Sequence, residues 1–162
     1  MVAKVLTERN SPIVSNYWVA VKLFELVHKG SYDERPLQLP KRPVDGRMLA
    51  EARNALLYRG VLTQDKMLPK TLFRIPDVKN IDQAETMCAI DPFGYVAFLS
   101  AMAYHGLTNR LPKILYFISP EPGLWRSLAD EKMQKDLGGL FELYRQAELP
   151  LLRHSKVEKL DG

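Results

Sequence analysis

Cysteine is nearly absent from this 162-residue chain, where Cys88 stands alone. A single thiol excludes an intramolecular disulfide and a thiolate-only zinc site. Long apolar runs are also missing. The longest, Tyr95 to Tyr104, falls far short of the roughly 20 residues that a membrane-spanning helix needs. Glu8, Arg9 and Asn10 interrupt the N-terminus before any leader-like apolar run develops. Excess charge of either sign is small too, with 23 Lys and Arg against 19 Asp and Glu for a net +4. No internal repeat and no low-complexity tract is present. The 46% hydrophobic and 26% charged fractions are those of a folded, water-soluble protein. A cytoplasmic protein without a membrane partner is expected.

The mild net charge is unevenly spread. Residues 1–80 carry 14 Lys and Arg against 8 Asp and Glu, whereas residues 81–162 carry 9 against 11. A basic first half beside a slightly acidic second half suggests an anion-facing module joined to a different one.

Residues 1–14 show no periodicity and read as an irregular lead-in. Val19, Leu23, Leu26 and Val27 then recur at helical spacing, which predicts a helix over 16–29, capped by Ser15 or Asn16 and stopped at Gly30. Pro36, Pro40 and Pro43 forbid a long helix in 31–45. Asp45 and Gly60 bracket a second helix as N-cap and C′ residue. Its apolar line is Leu49, Ala52 and Leu56, widened by Met48 and Ala55. Arg47, Glu51, Asn54 and Tyr58 lie opposite, with Arg53 on the flank. Thr71–Ile75 reads as a short strand, with Val61–Leu62 as its partner in a small ribbon. Residues 77–90 read as a linker with a helical turn.

Asp91-Pro92 places a good N-cap before a good N1 residue, predicting a helix that runs to Gly106. That helix is apolar on nearly every side, so it is expected to be buried. Lys113–Ser119 reads as a strand buried on both faces, and Trp125–Leu137 as an amphipathic helix ending at Gly138-Gly139. Leu140–Tyr144 and Leu149–Arg153 are expected as further strands. The whole is an expected α+β fold in two modules. Residues 1–80 form a winged helix-turn-helix, and residues 81–162 a small α/β module with a buried helix and short strands.

Helix, turn, helix and basic ribbon is the element order of a winged helix, which binds double-stranded DNA. Arg47, Arg53, Asn54 and Tyr58 project from the helix that enters the major groove in such folds. Arginine there addresses guanine edges and asparagine adenine edges, each through paired hydrogen bonds. Lys66, Lys70 and Arg74 on the wing, with Lys41 and Arg42 in the proline-rich segment, would neutralise phosphates. Glu51 opposes this reading by placing a negative charge on the same side, and an ordinary solvated helix face is the bland alternative.

Catalytic signals are poor. Asp91, Ser100 and His105 invite comparison with a triad, but Ser100 and His105 are five residues apart on one expected helix and do not face each other. No nucleophile elbow, Gly-rich phosphate loop or metal-ligand spacing occurs, and His28, His105 and His154 are scattered. Neither enzymatic activity, metal nor cofactor is expected. Trp18 and Trp125 read as packing anchors, and Cys88 as a small, half-buried hydrophobe.

The stretch from Asp91 to Thr108 carries a resemblance. Asp91, Pro92 and Tyr95, then Leu99, Ser100, Ala101, His105, Gly106, Leu107 and Thr108, then a hydrophobic strand to Ser119-Pro120, are similar to the central motif of the AbiEi-type antitoxins. Those are abortive-infection transcriptional regulators of type IV toxin–antitoxin systems. Arg59-Gly60-Val61-Leu62 and Leu72-Phe73-Arg74-Ile75-Pro76 are similar to the wing that precedes that motif in the family. The resemblance spans residues 46–120 and is specific only over 91–120. It implies an autorepressor that binds operator repeats as two protomers and counters a nucleotidyltransferase toxin in phage defence. It also implies a C-terminus shorter than is usual in the family, and it departs from the family in the proline-rich 31–45 segment. The rival reading is a protein-interaction module, centred on residues 91–137, that neutralises a toxin without binding DNA.

Overall fold

Two elements occupy the lead-in that was expected to be irregular: helix α1 (Val2–Thr7) and strand β1 (Ile13–Ser15). The structure, a computed structural model, describes residues 2–7, 11–32, 34–38, 42–76 and 82–155 and shows an α+β protein. Three residues, two of them fully buried, are too few to show a strand's alternation, which is why β1 has no signature in the sequence. Helix α2 (Asn16–Lys29) has the expected bounds. The Ser15 side chain accepts from the Trp18 amide, and Gly30 ends the helix at φ +63°. Seven of its residues are buried, Tyr17, Val19 and Phe24 among them. At about 1.5–3 kcal/mol for each large apolar side chain, α2 is the centre of the fold.

The proline-rich segment forms a small hairpin, β2 (Ser31–Tyr32) with β3 (Arg35–Pro36), turning at Glu34 with φ +63°. Helix α3 (Gly46–Tyr58) follows, with Asp45 Oδ1 accepting from the Met48 amide at 2.7 Å. Met48, Leu49 and Leu56 are buried, while Ala55 is exposed. Strand β4 (Leu72–Arg74) pairs antiparallel with β1, Val14 opposite Phe73. Val61–Leu62 are therefore not its partner strand. They turn back on the end of α3, both amides donating to the Leu56 carbonyl, and only Thr63 bridges to Arg74.

Residues 77–81 lie outside the described residues, and the rest of the expected linker is helix α4 (Gln83–Ile90), capped by Asp82. The next expectation fails. Asp91 closes α4 instead of opening a helix, and its Oδ1 accepts from the Phe93 amide and from the distant Trp125 Nε1 at 3.1 and 2.9 Å. The chain runs on through β5 (Tyr95–Val96) to α5 (Phe98–Tyr104), in which only Ser100 is buried. The apolar helix expected in the core is thus exposed. Strand β6 (Phe117–Ile118) pairs with β5 and is half-buried, shorter and more exposed than the expected 113–119 strand.

Helix α6 (Pro122–Leu137) is amphipathic, as expected, and gives the second half its helical contribution to the core. Trp125, Ala129, Met133 and Leu137 fall four residues apart and form its buried stripe. After a 3-10 turn at Gly138–Leu140 comes α7 (Phe141–Gln146), a helix where a strand was expected. Residues 149–153, also expected as a strand, have no regular structure. Tyr144 explains their course, since its fully buried ring meets Phe24 edge-on at 5.2 Å and its hydroxyl donates to the Pro150 carbonyl at 2.6 Å. Met133, Leu137, Tyr144 and Leu149 join Val14, Tyr17, Phe24 and Leu49 in one core cluster. A division at residue 80 therefore runs through the core. Among the described residues no helix is long and apolar enough to cross a membrane.

Candidate nucleic-acid interface

Helix α3 sorts its polar residues into two groups. Arg47, Asn54 and Tyr58 share the outer stripe with Glu51 and are exposed, Tyr58 at 93%. Glu51 accepts from Arg47 Nε at 3.3 Å and also from Arg42 Nη2. Pairs as exposed as Arg47–Glu51 are worth about 0–1 kcal/mol, so Glu51 holds Arg47 loosely and leaves it exchangeable, while Arg42 is partly buried. Arg53 leaves this stripe. It is half-buried and joins Gly46, Leu49 and Ala50 in facing a groove on the other side of the helix.

The turn after α3 separates its cations in the same way. Lys66 and Lys70 are exposed. Arg74 is committed to Asp65 instead, its Nε and Nη2 reaching Oδ2 at 2.9 and 2.8 Å. The Met67 amide donates to Asp65 Oδ1 at 2.9 Å. That amide first, and Arg74 second, hold the Asp65 carboxyl below the usual carboxylate range. Arg74 thus closes the 64–73 loop, and its side chain is not free to reach a phosphate. Lys41 lies outside the described residues.

The groove beside Arg53 holds about 990 Å³. It lies between the start of α2, the inner face of α3, the end of α4 and residues 145–155. Arg53, Lys132, Arg145 and Arg153 line it, with Glu148 as the opposing carboxylate. Trp18 forms part of its wall, with Lys22 Nζ 4.4 Å and Lys132 Nζ 6.0 Å from the ring centroid. Sequence reasoning missed this site because three of its cations come from the half with net negative charge. The only signal available was Arg53, which stood on the flank of α3 instead of its polar stripe.

The 91–108 motif residues have structural partners. Asp91 is 3% exposed and anchors Trp125, whose ring meets Phe93 edge-on at 5.2 Å. Ser100 Oγ accepts from the Tyr116 amide at 3.0 Å and donates to the Ile114 carbonyl, tying α5 to the approach to β6. Pro92 and Tyr95 are exposed, as is His105 at the end of α5, and Gly106 takes φ +66°. No hydrogen bond joins Asp91, Ser100 and His105. His154 does approach Asp91 Oδ2 at 3.6 Å and Ser119 Oγ at 3.2 Å, but both contacts use Nε2. A triad needs the serine and the carboxylate on different ring nitrogens. Cys88 is exposed, contrary to the half-buried expectation. Comparisons with family models, with curated proteins and with solved structures each find no match.

Proposed function

We propose that the protein is a DNA-binding transcriptional regulator of winged-helix type, with α3 as the helix that enters the major groove. The observation that carries this reading is the outer stripe of α3. Arg47, Asn54 and Tyr58 stand on one exposed face of a well-capped helix, and the turn that follows exposes Lys66 and Lys70. Arginine and asparagine are the side chains suited to base edges, and the two lysines are placed to neutralise flanking phosphates. The hairpin β2–β3 takes the place of the middle helix of a helix-turn-helix. The resemblance of residues 91–120 extends the proposal to an autorepressing antitoxin that binds operator repeats as two protomers.

Selection from a random duplex pool followed by mobility shifts tests this reading. Arg47→Ala with Asn54→Ala weakens specific binding by roughly 30-fold or more, at about 1–3 kcal/mol for each base-reading side chain. Lys66→Gln with Lys70→Gln lowers the slope of log affinity against log salt by about two. Unchanged affinity in the first pair refutes the residue assignment. Failure to bind any duplex at low salt favours the second reading, a protein-interaction module. That reading draws on the exposed apolar residues Phe98, Tyr104, Leu107 and Leu111, more exposed apolar side chain than a solvent-facing surface needs.

A further inference from the structure

We infer that the groove between α2, α3 and the 145–155 segment is a binding site for a small anionic organic ligand, one with a phosphate or carboxylate group on an apolar body. Four cations line one concavity, and the groove offers Glu148 as their counter-charge. Lys132 already pairs with Asp136 at 2.9 Å. Arg53, Arg145 and Arg153 pair with no carboxylate within 4.0 Å among the described residues. Like charges gathered around one cleft repel one another and favour an anion that enters it. Guanidinium groups favour phosphate and carboxylate because their paired N–H donors match two oxygens at once.

The rest of the lining indicates what else the ligand carries. Ile13, Leu49, Leu72 and Ile90 form an apolar floor, and Trp18 offers an indole beside it. Asn16 also lines the groove, and its buried Oδ1 has no hydrogen-bond partner. Its position at the start of the 14-residue helix α2 adds the positive end of the helix dipole. Apolar floor and cationic rim together fit an anionic organic molecule better than a bare inorganic ion.

This inference stands whether or not α3 binds DNA, and calorimetry on the full chain at low salt tests it. The probes are 1-naphthyl phosphate, which has the charge and the apolar body, and uncharged 1-naphthol, which has only the body. We expect the phosphate to bind with a dissociation constant below about 1 mM, and the naphthol to bind at least tenfold more weakly. Arg145→Gln with Arg153→Gln, both on exposed side chains, is expected to weaken the phosphate roughly tenfold or more, with the circular dichroism spectrum unchanged. Arg53→Gln is expected to weaken it similarly, and Arg53→Lys to restore part of the loss. Equal binding of naphthol, an unchanged constant in the Arg145/Arg153 pair, or no binding at millimolar phosphate ester would each overturn the assignment.

Discussion

Removing everything after residue 80 should leave a fragment that does not fold. The main core cluster takes Met133, Leu137, Tyr144 and Leu149 from beyond that point and packs them with Tyr17, Phe24 and Leu49. Burying each of the four is worth about 1.5–3 kcal/mol, so their loss costs on the order of 6–12 kcal/mol. Whole domains are stable by only about 5–15 kcal/mol, so the deficit approaches the entire margin. Two further losses add to it. Tyr17 loses the carboxylate of Asp136, to which its hydroxyl donates at 3.0 Å, and Ile90 leaves the smaller cluster with Ile13, Leu68 and Leu72. The assay is thermal melting by far-ultraviolet circular dichroism, with amide dispersion by NMR, on residues 1–80 and on the full chain. The full chain melts cooperatively; the fragment gives a broad, non-cooperative trace and poor dispersion. Tyr144→Ala in the full chain is the companion, costing about 3–5 kcal/mol and lowering the melting temperature by on the order of 10 °C. A fragment that melts cooperatively near the full-chain temperature would refute the argument and restore an independent domain.

Asp91→Ala leaves the Trp125 indole and the Phe93 amide without their acceptor, a loss of about 1–3 kcal/mol for the buried indole alone. A lowered melting temperature with a red-shifted tryptophan emission is the expected outcome, and unchanged emission refutes the anchor. Asp65 has a lowered pKa, so its contribution is complete above its unfolded value of about 3.9 and is lost as pH falls through the lower folded value. Arg74→Met removes the second cause of that shift, so urea midpoints between pH 2.5 and 6 should fall less steeply on the acid side than in the parent; identical acid limbs would count against the clamp. The Cys88 thiol is exposed and is raised above its ordinary pKa by desolvation first and by Asp82, Asp91 and Glu85 next. It should therefore titrate with a disulfide reagent in the folded protein, more slowly than a peptide thiol and faster at high salt. A requirement for denaturant contradicts its placement.

Helices α2 and α3 were legible because their signals are local. Ser15, Asp45 and Gly30 act on the nearest backbone amides and carbonyls, so no distant residue is needed to set those ends. The 91–104 stretch has equally strong local signals and was misread. Asp91 Oδ1 accepts from a buried indole 34 positions away in the chain, a contact that no local signal announces. The helix that follows begins only after Ala97, which has no side-chain acceptor to offer as a cap. Apolar composition misled in the same place. It specifies surface that favours burial, but which helix is buried depends on what the rest of the chain presents. Here α6 supplies the regular four-residue stripe and fills the core.

Charge followed sequence order no better. Counting by halves suggested a basic unit and a slightly acidic one, yet the groove joins Arg53 to Lys132, Arg145 and Arg153 across that boundary. The reason is geometric. A helical wheel places Arg53 on the flank of α3, and a flank faces solvent only when no third element lies beside it. The 145–155 segment does lie there, held by the Tyr144 hydroxyl on Pro150. Loosening that one bond should therefore act at a distance. Tyr144→Phe keeps the ring in the core but frees the Pro150 carbonyl. It is expected to cost about 1–3 kcal/mol and to weaken 1-naphthyl phosphate binding without touching a groove cation. Full affinity in Tyr144→Phe would show that the groove keeps its shape without the 145–155 segment held in place.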